Sequence, residues 1–291
     1  MPVAGVGAVH AIILAGGRGT RLRSVVADRP KALVELDGVP VLEILTRRLA
    51  RSGFRRLTLC VSHLAHLIED QWGDGSRFGI AVDYTHDEAM LGTAGPLRLV
   101  PGWDTAALVM NCDVLSGLDP GVLLAAHRRA GAAMTVAVRP CTIPIDLGVL
   151  DLGTDGRVRA VWEKPQLEIP AIGGMYVIEP HVRELLPVGR RFDMPQLIQH
   201  VAALGGHVHA HRFTEDWHDI GTPARYERAR AAFRSSPEEF LGTAARPDGP
   251  RPDHREDRHR VGVPGAVRDD AAGRGGGGGA LAVRPAGHDV G

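Results

Sequence analysis

Short apolar runs alternate with amphipathic helical segments over roughly the first 140 residues of this 291-residue chain. Strands and helices that alternate in this way are typical of βα units around a mostly parallel sheet. Five runs have the length and composition of buried strands: HAIILA (10–15), RLTLCV (56–61), IAVDYT (80–85), AALVMNC (106–112) and AMTVAV (133–138). The pattern predicts an α/β fold with a Rossmann-like mixed, mostly parallel sheet flanked by helices.

The segments between these runs carry the apolar stripe of helices that pack on a sheet. In PVLEILTRRLARSG, Val41, Leu42, Leu45 and Leu49 share one face, and arginines occupy the opposite face. Four more segments have a helical pattern: HLAHLIEDQW, DPGVLLAAHRRAG, MPQLIQHVAAL and PARYERARAAF. After about residue 140 the chain becomes more strand-like, in GVLDL, RVRAVWEK and GGMYVI.

The composition changes at about Ser235. Glycine and proline account for 18 of the 57 residues in 235–291, without a repeat period. A segment of this kind buries too little apolar surface to offset its chain entropy. We therefore predict one folded domain over residues 1–234 and a disordered tail over 235–291.

Charge and cysteine usage limit the classes of partner and compartment. The 34 basic residues equal the 34 acidic residues, so the summed field attracts neither nucleic acid nor an anionic membrane. Three widely spaced cysteines fit neither a disulfide framework nor a zinc site, and the early apolar run is too short to span a bilayer. These features predict a cytoplasmic protein.

The stretch AIILAGGRGTRLRSVVADRPKALVEL (11–36) joins a strand to a glycine turn and several cations. Gly16, Gly17 and Gly19 allow backbone amides to approach an anion, and Arg21 and Lys31 add full positive charge. An ordinary tight turn is the alternative for the glycines alone. The stretch is neither a P-loop nor a dinucleotide fingerprint, since it lacks the following Gly-Lys-Ser/Thr and the third glycine.

LAGGRGTRL followed by RPKALVEL resembles the signature of the sugar-1-phosphate nucleotidyltransferases. Within that family, RLRSVV is most similar to the D-glycero-D-manno-heptose 1-phosphate and mannose-1-phosphate guanylyltransferase branch, although Ala32 stands where many members have Pro. The resemblance implies the nucleotide-diphospho-sugar transferase fold. It also implies that the opening motif binds the nucleotide through Leu14, Ala15, Gly16, Gly17, Gly19, Thr20 and Arg21.

Further motifs follow in the order that the resemblance implies. MLGTAGPL (90–97) resembles the turn in which Gly92 and Thr93 would contact the nucleobase, although Thr93 could instead cap a helix. In MNCDVLS, Asp113 ends an apolar strand, where a carboxylate serves either as a turn cap or as an oxygen ligand for magnesium. DWHDIGTPARY (216–226) resembles the motif that supplies a second metal carboxylate, Asp219.

The sugar phosphate is expected between these two carboxylate motifs. By resemblance, VWEKP (161–165) would place Glu163 on sugar hydroxyls and Lys164 on the sugar phosphate, with Gly148 and Gly174 beside them. An exposed Glu-Lys pair is otherwise ordinary solvated surface. Ile172 stands where the heptose and mannose branches often have Asn, which leaves the exact sugar open.

Two histidine features are interpreted as structural. Magnesium prefers oxygen ligands, so His218 beside Asp219 is expected to be neighbouring structure. HVHAHRF (207–213) has the alternation of a strand with a solvated face.

The expected reaction joins a nucleoside triphosphate, preferably GTP, to a heptose or mannose 1-phosphate and releases pyrophosphate. Asp113 and Asp219 would hold Mg²⁺, Arg21 would take the β- and γ-phosphates, and Lys31 the α-phosphate, while Glu88 could accept from guanine. A thymidylyl-, cytidylyl- or adenylyltransferase for another sugar or cyclitol phosphate, and an inactive nucleotide-sugar-binding regulator, are alternatives. The expected partners are the two substrates, with no nucleic acid and no membrane, and the sequence is compatible with a homo-oligomer.

Overall fold

The computed structural model describes residues 9–17, 19, 22, 29–242 and 282–284. The chain divides into two compact units, Met1–Val138 with Ile172–Asp248 and Arg139–Ala171 with Gly249–Gly291. Among the described residues, no helix combines the length and apolar composition needed to cross a membrane.

The secondary structure follows the predicted alternation of strands and helices. The strands are β1 (His10–Leu14), β2 (Glu35–Leu36), β3 (Val39–Pro40), β4 (Arg56–Val61), β5 (Ala81–His86), β6 (Ala107–Asn111), β7 (Val114–Ser116), β8 (Met134–Pro144), β9 (Val149–Leu152), β10 (Val158–Trp162), β11 (Gln166–Ile178), β12 (Val208–Arg212), β13 (Trp217–Asp219) and β14 (Ala282–Arg284). The α-helices are α1 (Val41–Arg51), α2 (Ala65–Trp72), α3 (Pro120–Ala130), α4 (Pro180–Arg183), α5 (Met194–Ala203), α6 (Pro223–Ser235) and α7 (Pro237–Leu241). Short 3-10 turns span Lys31–Leu33, Ser76–Phe78 and Gly95–Leu99.

The central sheet has the strand order β12-β8-β11-β6-β1-β4-β5. Strand β1 lies between β6 and β4 and runs parallel to both, β5 runs parallel to β4, and β12 runs parallel to β8. The structure describes the register of five pairings along this path. Of these five, only the pairing of β11 with β6 is antiparallel. The predicted Rossmann-like, mostly parallel sheet is confirmed.

Burial explains why these runs form strands. Ile12 and Ile13, adjacent on β1 and therefore on opposite faces of the sheet, are both fully buried. A strand covered on both faces needs a continuous apolar run, as HAIIL has. On α1, Val41, Leu42, Leu45 and Leu49 are all buried, which confirms the predicted apolar face.

The second unit contains a β-hairpin. Its strands β9 and β10 pair antiparallel, with Leu150 opposite Val161. The chain reaches it through β8, which continues six residues past the predicted end at 138, and leaves through β11, whose first residues pair with β14.

Helical structure continues beyond the predicted domain boundary at residue 234. Helix α6 ends at Ser235 and α7 follows at once, with Phe240 buried in the core. The expectation of disorder from residue 235 is therefore wrong for α7, because Phe240 supplies apolar burial that the Gly/Pro count did not weigh. Residues 243–281 and 285–291 of the tail lie outside the described residues.

Arg48 attaches α7 to the body of the first unit. Its buried guanidinium donates to the carbonyls of Glu239 (2.6 Å) and Phe240 (3.1 Å), and to those of Gly117 (2.6 Å) and Leu118 (2.8 Å). Hydrogen bonds from a charged donor are stronger than neutral ones, and a buried donor that loses its acceptor is costly.

We expect a chain ending at residue 242 to be more stable than one ending at 234. The shorter chain lacks two of the four carbonyls that Arg48 binds, and it exposes the part of the core that Phe240 covers. Its free energy of unfolding should therefore be lower by about 3 kcal/mol or more. Chemical denaturation of the two shortened chains measures the difference. Equal free energies of unfolding would show that α7 does not contribute to the core.

Candidate active site

The strands β1, β4 and β6 end at a cavity of about 410 Å³ in the first unit. Leu14, Cys60 and Asn111 come from the carboxyl ends of these three strands, where ligands bind in open α/β sheets. The cavity is lined by Leu14, Gly16, Gly17, Gly19, Lys31, Cys60, Asp87, Met90, Gly92, Thr93, Pro96, Asn111, Cys112, Asp113, Arg191, Asp193 and Gly221.

The glycine turn lines the cavity through Gly16, Gly17 and Gly19. Gly19 has φ +60°, and a Cβ added there would lie 3.3 Å from Cβ of Lys31, so the turn passes closely over that side chain. Ala15 does not line the cavity, because its amide bonds to the carbonyl of Cys60 at 2.8 Å and its side chain is buried. Arg21 and Thr20 lie outside the described residues.

An ion pair joins Lys31 to Asp113, and both residues line the cavity. Nζ of Lys31 contacts Oδ2 of Asp113, and the side chains are 10% and 28% exposed. The backbone carbonyl of Asp113 accepts from the amide of Ile220 at 3.0 Å. This bond brings the segment that carries Asp219 next to the end of β6.

Asp219 lies at the end of β13, opposite Val114 of β7. Its Oδ1 accepts from the amide of Gly221 at 2.9 Å, and Arg225 holds both carboxylate oxygens. Asp219 does not itself line the cavity, whereas Gly221 does. Oδ1 of Asp219 and Nζ of Lys31 lie 2.9 Å and 3.9 Å from the point where a Cβ at Gly221 would stand, so these charges share one region.

These carboxylates have the donor chemistry of a magnesium site. Asp113 and Asp219 offer hard oxygen ligands from adjacent segments, which Mg²⁺ prefers. The described residues contain no group of three or more His, Cys, Asp or Glu side chains arranged to hold a metal. Two carboxylates, with the other positions taken by water or substrate, are a donor set that Mg²⁺ accepts in proteins.

The predicted nucleobase turn is held by a second segment of the chain. Gly92 and Thr93 both line the cavity, and the Thr93 amide donates to Oδ1 of Asp193 at 2.9 Å. The Thr93 hydroxyl accepts from the Met194 amide at 2.8 Å, at the start of α5. Thr93 thus satisfies an amide of α5 and does not cap the 3-10 turn that follows it.

Several lining residues were not predicted from the sequence. Asp87 lines the cavity and Glu88 does not, since the Asp87 carboxylate turns inward and accepts from the Leu91 amide at 2.8 and 3.0 Å. Arg191 lies at the cavity and contacts Asp193 at 3.2 Å. The capping box of Asp193 with Gln196 is a recognisable sequence signal, but it marks a helix start and not a ligand site.

Two cysteines at the cavity have thiols of raised pKa. Burial raises the pKa of the Cys60 thiol to about 12 and that of the Cys112 thiol to about 12. Both thiols therefore stay protonated at neutral pH and line the cavity as small apolar groups.

Three predicted sugar-phosphate residues belong to the second unit. Lys164 has φ +46°, and its Nζ lies 2.8 Å from Oδ1 of Asp146, with both side chains well exposed. Oε2 of Glu163 lies 3.4 Å from the point where a Cβ at Gly148 would stand. The fourth, Gly174, belongs to the first unit, where a Cβ at its position would lie 2.8 Å from Cγ2 of Val114 and 3.1 Å from Nδ2 of Asn111.

The histidines occupy structural positions. The His218 ring packs edge-on against Phe240 with a centroid distance of 6.1 Å. His209 and His211 lie on β12, as the alternation of HVHAHRF predicts, and His207 stacks edge-on with His209 at 6.2 Å.

Known proteins resemble this chain over most of its described part. The family described as Nucleotidyl transferase matches residues 10–236. A mannose-1-phosphate guanylyltransferase of Mycobacterium tuberculosis is 33% identical over 231 residues, which cover 77% of this chain and 64% of the relative. A UTP–glucose-1-phosphate uridylyltransferase of Synechocystis is 31% identical over 244 residues, which cover 76% of this chain and 62% of the relative.

A solved structure extends the comparison. HddC from Yersinia pseudotuberculosis, complexed with GMP-PN, superposes with a TM-score of 0.59 and 25% identity over 77% of this chain and 99% of that chain. The chain spans slightly less than two thirds of the length of the two curated relatives.

We expect Gly92→Ala to destabilise the protein and distort the cavity. The residue has φ +88°, and a Cβ would lie 2.5 Å from Oδ1 of Asp193 and 2.8 Å from the Phe192 carbonyl, so about 2 kcal/mol or more should be lost. Gly17→Ala is the matched control, because nothing lies within 4 Å of its Cβ position. Equal thermal melting temperatures for the two variants would contradict the docking of Asp193 on this turn.

Proposed function

The chain belongs to the nucleotidyl transferase family, and we propose from this premise that it joins a nucleoside triphosphate to a sugar 1-phosphate. An oxygen of the sugar phosphate attacks the α-phosphorus, the bond from the α-phosphorus to the bridging oxygen breaks, and pyrophosphate leaves. The observation that carries the proposal is the Lys31–Asp113 pair, which lies between the glycine turn and Gly221 in one cavity.

Charge neutralisation is the main requirement, because both substrates are polyanions. The Lys31 ammonium would bind the α-phosphate, and the amides of the glycine turn would bind the other phosphates. Arg21 stays the predicted ligand of the leaving pyrophosphate. No general base is needed, since the attacking phosphate oxygen is already ionised near neutral pH.

Asp113 and Asp219 would hold Mg²⁺, which when bound neutralises phosphate oxygens and fixes them in line. The proposal also assigns Glu163, Lys164, Gly148 and Gly174 to the sugar phosphate. Lys164, which pairs with Asp146, would then exchange that carboxylate for the substrate's phosphate.

Lysine usage supports these assignments independently. Lys31 and Lys164 are the only two lysines in the sequence, against 32 arginines. Every other Lys or Arg position, including Arg21 at the leaving pyrophosphate, is arginine, and lysine stands at the two positions proposed to touch the α-phosphate and the sugar phosphate. A compact ammonium differs from a planar guanidinium in size and donor geometry, so the two are not interchangeable at a crowded site.

We propose GTP as the nucleotide and a mannose or heptose 1-phosphate as the acceptor. The guanylyltransferase relative and the GMP-PN complex of HddC support guanine, and the buried Asp87 carboxylate replaces Glu88 as the candidate acceptor for guanine N–H groups. The uridylyltransferase relative makes UTP with glucose 1-phosphate the second candidate.

The free cysteines Cys60, Cys112 and Cys141 support a reducing compartment such as the cytoplasm.

A matrix of triphosphates against sugar 1-phosphates, followed by pyrophosphate release, tests this function. We expect Mg²⁺-dependent turnover to be highest with GTP and mannose or heptose 1-phosphate. Preference for UTP with glucose 1-phosphate would establish the second candidate. Binding without pyrophosphate release in any pair would refute transferase activity.

We expect Lys31→Arg to lower kcat by about 100-fold or more while leaving the protein folded. Lys31 is nearly buried beneath Gly19, so a guanidinium cannot place a donor at the same point. Steady-state kinetics and a thermal melt report the two effects separately. Arg47→Lys is the matched control, since Arg47 is half exposed and pairs with Glu43 on the same helix. Near-normal turnover of Lys31→Arg would remove Lys31 from the reaction.

A further inference from the structure

Arg225 forms an ion pair with the carboxylate of Asp219, to which the proposed function assigns a metal ion. Its Nη1 lies 3.2 Å from Oδ1 and 2.9 Å from Oδ2 of Asp219, so one nitrogen bonds to both oxygens. The amide of Gly221 donates to Oδ1 as well. The Asp219 side chain is 18% exposed and therefore keeps little water of its own.

The position of Arg225 on α6 makes this contact notable. The helix begins after Thr222, whose hydroxyl accepts from the Arg225 amide at 3.4 Å, so Arg225 is in the first turn. A cation in the first turn is disfavoured by the helix dipole, and this turn contains no acidic residue. The Asp219 carboxylate compensates the charge of Arg225. Arg225 does not itself stabilise the helix through the helix dipole.

Resting on the proposed function, we propose that Arg225 is an internal counter-ion that competes with the divalent cation for Asp219. With no metal bound, the guanidinium pairs with the mostly buried carboxylate of Asp219. A buried carboxylate with no cationic partner would destabilise the protein. Binding of the cation to Asp219 would weaken or displace the Arg225 contact, because both partners are positively charged. Its side chain is half exposed, so the guanidinium can move into water at little cost.

The consequence is that Arg225 sets the cation concentration that the protein needs. Exposed and half-exposed ion pairs contribute modest free energies, so the competition is expected to weaken cation binding by about two- to five-fold. Lys31 pairs in the same way with Asp113, the other proposed metal carboxylate. Of the two cations, Arg225 is the one that the proposed reaction does not otherwise use.

The test measures Mn²⁺ binding to the full chain by electron paramagnetic resonance, without either substrate. Arg225→Gln should lower the Kd for Mn²⁺ by about two- to five-fold, and Arg225→Lys should give an intermediate value. Gln also suits the third position of a helix that Thr222 caps, so the variant should fold. Arg234→Gln is the matched control, because Arg234 lies on the same helix and pairs with Asp37 at 2.8 Å.

The outcomes separate this inference from the function on which it rests. Tighter Mn²⁺ binding in Arg225→Gln with an unchanged Kd in Arg234→Gln supports competition. An unchanged or weaker Kd in Arg225→Gln overturns it and leaves the proposed transferase intact. If Asp219→Asn binds Mn²⁺ as tightly as the unaltered protein, Asp219 is no ligand, and both the inference and the metal assignment fail.

Discussion

The parallel pairing of β1 with both of its neighbours is the constraint on which the rest of the structure depends. A strand hydrogen-bonded on both edges and buried on both faces ends at the same side of the sheet as β4 and β6. The polypeptide must leave each strand there, so three loops meet over one area. The glycine turn, Cys60 and the Asp113 segment share a cavity because of this geometry.

Charge balance is the second organising feature of the site. Lys31 pairs with Asp113 and Arg225 pairs with Asp219, so each of the two proposed metal carboxylates already has a cationic partner. The site that we propose for two polyanions and a divalent ion thus has its own charges compensated internally. Under the proposed function, substrate and metal binding exchange these internal partners for external ones.

The sequence predicted the fold well where local pattern decides structure. The limits of β4 and the buried face of α1 follow directly from apolar periodicity. It did less well where a distant segment decides. Glu88 and Asp87 are adjacent acidic residues, and only the bond from the Leu91 amide turns Asp87 inward. Arg191 and Asp193 reach the cavity because they pack on Gly92, about 100 residues earlier in the chain.

The sequence by itself determined the α/β alternation, the glycine turn after β1 and the order of the charged motifs, because these depend on residue type and short spacing. The tertiary structure alone decided which carboxylate faces the cavity, which cation sits on Asp219, and that α7 belongs to the folded body. Each of these is a contact between segments far apart in sequence. Their energies depend on distances that only the packed chain defines.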